Sequence, residues 1–459
     1  VSHPEANLIS AILRNPTRFS DALNEGIAPG FFHVHPMESK FIFGYYERKG
    51  GVPSKAAFKS RFPEFRMKAV DDVEFFAGEV RLNHARQTVT NRLNSMIEDL
   101  SVGNVEAVTK LMHNTAMEME STLSGGGENF DIIQAHGDIA DEAERRFNAV
   151  ESGGHAGIPT GFKTLDEITG GLQPGWVTVV GARLGQGKTS ACIKIASHAL
   201  FAGHSVQFNA LEMTKAEVAM RFHAYASSHY AKGEFRSADL SRGINFSPKA
   251  YREFLLKLAT QVTGQFHVVD VRHGGLTPLG LAAQLEKNKP DLAVVDYLTL
   301  METGDGHGNK ARGDDDWQSL AKLSKRLKMV AGQTGTPLVL AAQLNRSAAN
   351  QRDVPTADTL AESDAIGRDA DLIVMIQKRS ARVLTMSVAK FRHGADGQRW
   401  YARYEPNVGL FAEIDGDEAG ELIREDESKS DTVRRDHTKG ARRKLKDELE
   451  ERRVIRRAL

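Results

Sequence analysis

The sequence predicts an α/β protein: a mostly parallel sheet with helices on both faces, preceded by a small all-α domain. Three observations carry that reading. From about 156 to 415, the short runs "VTVVGA", "SVQFNAL", "FHVVDV", "LAVVDYL", "PLVLAAQL", "LIVMIQ" and "RVLTMSVAKF" alternate with helical or loop stretches. Near-continuous apolarity in such runs marks strands covered on both faces. Residues 1–118 instead keep helical spacing, and three consecutive glycines in "STLSGGGENF", 121–130, break the chain between the two regions.

In the N-terminal region, Leu8, Ile12, Phe19 and Leu23 recur at helical intervals, and Ser2 with Glu5 reads as a capping box ahead of them. Further on, "DDVEFFAGEVRLNHARQTVTNRLNSMIEDL" and "NVEAVTKLMHNTAMEME" predict two long helices joined at "SVGN". No catalytic constellation falls here, so 1–118 is read as an assembly or partner domain. The segment 119–155 is a linker holding one short amphipathic helix, "DIADEAERRFNAV", whose apolar face calls for a neighbouring surface. The α/β domain spans 156–416. A charged tail, read as flexible, occupies 417–459, with eleven Lys/Arg against five Asp/Glu from Arg434 onward.

Sixty Lys+Arg balance sixty Asp+Glu, so overall charge points to no nucleic-acid partner. A single cysteine, Cys192, excludes an internal disulfide framework and a cysteine-built zinc site, which fits a reducing compartment. The start "VSHPEANLISAILRNP" has no secretory pattern, and no apolar run approaches the ~20 residues of a membrane span. A cytoplasmic protein without a membrane partner is expected.

The strongest chemical signal is "GARLGQGKTS", 181–190, after the strand "VTVV" and before the apolar helix "ACIKIASHAL". Strand, glycine-rich turn, Lys-Thr and helix is an arrangement that cradles phosphates with backbone N–H groups and a helix N-terminus. The nucleotide-binding candidates are therefore Ala182, Arg183, Gly185, Gly187, Lys188, Thr189 and Ser190. Lys188 reaches the β/γ oxygens and Thr189 ligates Mg²⁺. Ala182 stands where the strict pattern has glycine.

A second metal-binding carboxylate belongs at the end of a buried strand. Asp296 follows the apolar run Leu292 to Val295, a longer run than the one that leads to its competitor Asp270. Tyr297 occupies the position directly after the aspartate, where many ATPases carry their base, so the base must come from another strand. Glu212 at the end of "SVQFNALEM" is that candidate, with an ordinary helix-starting glutamate as the bland alternative. Gln343 ends "VLAAQ" as a neutral polar residue suited to sensing a γ-phosphate. In "VAKFRHGADG", Lys390 and Arg392 lie two apart on a strand and point to one face, placed to grip an anion. The long polar loops 302–316, with Lys310 and Arg312, and 345–365 suit a phosphate backbone followed without base reading.

Together, "GIPTGFKTLDEITGGLQPG", "GARLGQGKT", "LEM", "VVDYLTLM", "AAQLNRS", "ESDAIGRDADLIVMI" and "KFRHG" stand in an order and spacing that resembles the replicative DNA helicases of the DnaB family, over about 157–411. The N-terminal part resembles that family's helical domain only weakly. The resemblance implies a RecA-like P-loop NTPase domain, a homohexameric ring, 5′ to 3′ movement on single-stranded DNA driven by ATP and Mg²⁺, and primase and helicase-loader partners. It implies Lys188, Glu212 and Gln343 as catalytic residues, Thr189 and Asp296 as metal residues, and Arg392 with Lys390 as a finger toward the neighbouring subunit's nucleotide. The linker helix would dock on the adjacent subunit. Glu362 and Ser363 match a DNA-contacting loop, but Ala361 and Asp364 stand where members often carry arginine and glycine. The weakly matching N-terminal part and the basic tail suggest a divergent member, such as a viral one. A recombinase or KaiC-like ATPase of the same fold, or an ATP-gated assembly factor without motor activity, are the alternative readings.

Overall fold

The computed structural model describes residues 3–123, 132–271, 275–301, 316–343 and 364–429. The chain divides into two units, Val1–Ile139 and Ala140–Leu459.

The first unit is helical. Its core gathers Leu8, Ile9, Ile12, Phe19, Ile42, Phe58, Val73 and Val80 from the helices Pro4–Arg14, Phe19–Asn24, Pro36–Lys49, Lys55–Arg61 and Val73–Ser101. The two long helices of the predicted hairpin are Val73–Ser101 and Val105–Leu123, and the second runs past the predicted limit of 118. Asp72 caps the first by accepting from Phe75 N–H at 2.9 Å. The predicted capping box is not what Glu5 makes: His3 is the N-cap, without a side-chain bond, and Ser2 lies outside the described residues. Glu5 is buried and accepts from the backbone N–H groups of His33, Val34 and His35 at 2.8–2.9 Å, because a buried carboxylate needs donors that the helix start does not supply. The linker helix is His136–Glu151, and Phe147 and Val150 on it are 63% and 55% exposed.

The second unit is built on nine strands: β1 Val177–Ala182, β2 Val206–Ala210, β3 Phe266–Asp270, β4 Leu292–Asp296, β5 Leu338–Gln343, β6 Leu372–Lys378, β7 Val383–Phe391, β8 Arg399–Glu405 and β9 Leu410–Ile414. Their order is β3-β2-β4-β5-β1-β6-β7-β8-β9, parallel from β3 to β6 and antiparallel beyond. Alternate residues feed two cores. Leu292 and Val294 of β4 join Ala191, Ile195 and Phe208 in one core, and Ala293 and Val295 join Leu281, Leu323 and Leu327 in the other. Each such buried aliphatic or phenyl side chain contributes roughly 1.5–3 kcal/mol. Cys192 is fully buried in the helix Lys188–Phe201, and burial raises its thiol well above the usual range, so it is a core residue.

Two strands were not among the predicted runs. β8 alternates exposed and buried residues, and β9 is short and half-covered, so neither shows the continuous apolar signature of β1 or β4. Residues 416–429 form a helix packed on the sheet's antiparallel end, so 417–429, expected in the flexible tail, are structured.

Candidate active site

At the carboxyl edge of the parallel strands, register alone brings the predicted residues together. Ala182 of β1 pairs with Gln343 of β5, and Ala210 of β2 pairs with Asp296 of β4. Leu211 N–H then donates to the Asp296 carbonyl at 3.0 Å, which sets the next residue, Glu212, beside that carboxylate. β5 lies between β4 and β1, so Gln343 stands between Asp296 and the glycine-rich turn. The turn bends through Gly185 and Gly187 at φ +73° and +90°, a region glycine enters without strain, and the helix Lys188–Phe201 starts directly after it.

These elements enclose a cavity of about 540 Å³ lined by Arg183, Gly185, Gly187, Lys188, Thr189, Ser190, Glu212, Tyr297 and Gln343. Ala182 is wholly buried at the end of β1 beneath the turn. The Lys188 ammonium lies 3.9 Å from the centroid of the Tyr297 ring. Burial lowers its pKa, against the opposing charges of Asp296 and Glu212. Burial pushes the Asp296 carboxyl up, while the Thr189 hydrogen bond and the Lys188 charge pull it down. Asp296 is 2% exposed, and its Oδ1 has no hydrogen-bond partner. A buried carboxylate oxygen without a donor is costly unless a cation completes it. Thr189 and Asp296 therefore fit a hard oxygen-ligated cation such as Mg²⁺. Among the described residues, no group of three or more His, Cys, Asp or Glu side chains is arranged to hold a metal.

The rest of the lining carried no motif. Glu217, Arg221 and Tyr225 lie four residues apart on the helix Lys215–Tyr230 and present one stripe to the cavity, a spacing readable once that helix is placed beside the phosphate turn. Another stretch of the wall is Tyr404, Pro406, Asn407 and Gly409, at the end of β8 and in the turn after it. Gly409 has φ +69°, and a Cβ there would lie 2.4 Å from the Ala224 carbonyl carbon, so the turn packs directly on the helix backbone. Such close backbone contact leaves no trace in hydrophobic periodicity.

Lys390 and Arg392 are elsewhere. Leu372 of β6 pairs with both Phe391 of β7 and Thr178 of β1, so the end of β7 is level with the start of β1, across β6. The strand length sets Arg392 about 15 Å or more from its own phosphate turn. In this chain the Lys390 Nζ donates to the carbonyls of Gly367, Arg368 and Ala370 at 2.7–2.8 Å, closing the C-terminus of the helix Asp364–Asp369. Arg392 pairs with Asp371 at 3.3 Å and donates to the Arg368 carbonyl, with its side chain 47% exposed. Lys310, Arg312, Glu362 and Ser363 lie outside the described residues, as does Ala361.

The fold and site define an α/β nucleotide-binding protein of the phosphate-loop class. Within that class, the family model described as the DnaB-like helicase C terminal domain matches residues 157–412, and the chain belongs to that family. It is 29% identical over 246 residues to the replicative DNA helicase DnaB of Leifsonia xyli subsp. xyli, covering 50% of this chain and 49% of that protein. With the replicative DNA helicase DnaB of Helicobacter pylori it shares 25% identity over 326 residues, 68% of this chain and 63% of the other. The chain thus spans less than two thirds of the length of these relatives. A solved DnaB-like replicative helicase, described with its interactions with primase, shares the fold at a TM-score of 0.61 and 19% identity over 90% of this chain and 99% of that one.

Proposed function

We propose that this chain is the ATP-hydrolysing motor of a replicative DNA helicase, working as a ring of six copies that moves 5′ to 3′ along single-stranded DNA. The observation that carries the reading is the division of the chemistry. Lys188, Thr189, Glu212 and Gln343 line one cavity, with Asp296 buried within reach of Thr189 and Lys188, while Arg392 stands half-exposed at the opposite sheet edge. A cation so far from its own phosphates serves hydrolysis only from a neighbouring copy.

In this reading the turn's N–H groups and Lys188 bind the β- and γ-phosphates of ATP. Thr189 and Asp296 would hold Mg²⁺, which would supply positive charge to offset the phosphate oxygens. Glu212 orients a water and takes its proton as the oxygen attacks the γ-phosphorus and the bond to the β-phosphate oxygen breaks, giving ADP and phosphate. Gln343, one strand away, senses the γ-phosphate, and Arg392 of the next copy stabilises transition-state charge. Family membership supports single-stranded DNA as the track, with Lys310, Arg312, Glu362 and Ser363 as its contacts, and a helicase loader and primase as partners. The solved helicase described with primase supports the last. The exposed Phe147 and Val150 suit a linker helix that docks on the adjacent copy. Family membership supports action on DNA in the cytoplasm, and no helix among the described residues is long and apolar enough to cross a membrane.

The test is ATP hydrolysis by the purified chain with and without single-stranded DNA, and unwinding of a fork with a 5′ tail. Stimulated hydrolysis with unwinding is expected. An active, hexameric preparation that unwinds nothing would instead favour another RecA-fold ATPase.

A further inference from the structure

The phosphate turn rests on a side chain that the hydrolytic scheme does not use. Tyr404 of β8 is 8% exposed, and its hydroxyl lies 3.2 Å from the Ser190 hydroxyl. Its ring fills the space beneath Gly187, where an added Cβ would meet Tyr404 Cζ at 3.2 Å and Leu384 Cδ1 at 3.3 Å. Tyr404 N–H in turn donates to the Arg382 carbonyl at 2.8 Å.

Arg382 is held from the other side. Its Nε donates to Asp426 Oδ1 at 2.8 Å and its backbone N–H to Asp426 Oδ2 at 2.9 Å, while Nη2 donates to Glu425 at 2.8 Å. Ser380 Oγ also donates to Asp426, at 2.7 Å. Asp426 is nearly buried, at 8% exposed, and belongs to the helix 416–429. That helix is started by Asp415, which accepts from Asp417 and Glu418 N–H, and it is seated by Ala419 and Leu422 against Val383. It begins beyond residue 412, where the match to the family model ends. Asp426 thus meets Arg382 through one guanidinium N–H and the backbone N–H, and a nearly buried carboxylate held at both oxygens is far more specific than a surface ion pair.

We propose that the helix 416–429 is a brace on the nucleotide site: Asp426 fixes Arg382, Arg382 fixes Tyr404, and Tyr404 holds the phosphate turn at Gly187 and Ser190. Asp426 and Arg382 are positioning residues, since neither lines the cavity. Docking of the C-terminal helix therefore sets how well the turn is preorganised for phosphate. The proposal rests on the nucleotide reading of the cavity.

Two readouts test it in the full chain with Asp426→Ala, Arg382→Ala and Tyr404→Phe. Each variant raises KM for ATP roughly three- to tenfold, the range one hydrogen bond commands, and by more than it lowers kcat. Combining Asp426→Ala with Tyr404→Phe adds little to the larger single effect, because the two act along one path. Without nucleotide, amide exchange across 181–190 quickens in Asp426→Ala. Faster exchange in 416–429 with none in 181–190, or additive KM effects, overturns the brace. Should Asp426→Ala fail to fold, Tyr404→Phe decides by its own KM and exchange. Failure of the parent chain to bind Mg-ATP overturns the nucleotide reading instead, and exchange across 181–190 still decides the brace.

Discussion

The Arg392 guanidinium faces the Asp371 carboxylate at 3.3 Å, Nη1 to Oδ1, at the sheet edge opposite the phosphate turn. The same carboxylate takes the Lys328 ammonium at 2.6 Å and the Val177 N–H at 2.8 Å. One buried aspartate thus ties the start of β1 to a helix and to the cation proposed as a finger. It orients Arg392 while leaving nearly half of that side chain open to another surface.

Arg392→Ala should nearly abolish ATP hydrolysis while leaving ATP binding within about twofold, because a finger supplied in trans acts mainly on transition-state charge. Mixing that variant with Glu212→Ala should recover activity at interfaces that pair an intact Glu212 with an intact Arg392. Mixed rings as dead as either parent would count against action in trans.

Asp371→Ala leaves the buried Val177 N–H without its acceptor and takes the carboxylate from the part-exposed Lys328, which keeps the Gly175 carbonyl. Leaving such a buried donor unpaired costs about 1–3 kcal/mol. The motor-domain transition in urea should shift by that amount, and a loss below about 1 kcal/mol would show the carboxylate to be dispensable.

Asp296→Asn should separate stability from activity. Burial raises the Asp296 pKa, so its ionised form is held at a cost that a neutral amide of similar shape avoids. Thermal melting in the absence of Mg²⁺ should show the variant at least as stable as the parent. Hydrolysis in Mg²⁺ should fall by about a hundredfold or more, on the scale of removing a fixed catalytic charge interaction.

His223 gives the pH dependence its sign. Burial lowers its pKa to about 4, and its Nδ1 lies 2.6 Å from the Tyr251 hydroxyl. The unfolded chain takes up this proton near pH 6.5 and the folded chain only near 4, so stability is complete above the first value and lost as pH falls toward the second. The loss approaches about 3 kcal/mol. Urea midpoints at pH 7 and pH 4.5 should therefore converge in His223→Gln, and an undiminished difference between them would assign the acid sensitivity to other groups.

Legibility followed the physics of each element. Asp296 and Gln343 end strands that are almost wholly apolar, Lys188 and Thr189 open the helix after the turn that follows another, and Glu212 comes just past the fully buried β2, so chain pattern and site geometry coincide. Tyr404, Arg221 and Asn407 reach the same cavity from a half-exposed antiparallel strand, a helix stripe and a short turn, and no local pattern distinguishes those positions from ordinary surface. Lys390 reads as an anion grip because charge is visible in sequence, whereas the three carbonyls it meets belong to a helix end some twenty residues earlier. The helix 416–429 hides among charges because only Ala419, Leu422 and Ile423 mark its buried stripe.

The opposed edges of the sheet also shape an assembly built on the proposed finger. Where all copies face one way, a contact that joins one copy's Arg392 edge to the next copy's phosphate turn uses two different surfaces and is head-to-tail. Repeated, it gives either a ring or an open spiral, according to the rotation between neighbours. Every member then has a direction, with one neighbour that it completes and another that completes it. A single subunit carrying both Arg392→Ala and Glu212→Ala would silence two adjacent sites, a footprint twice its own number.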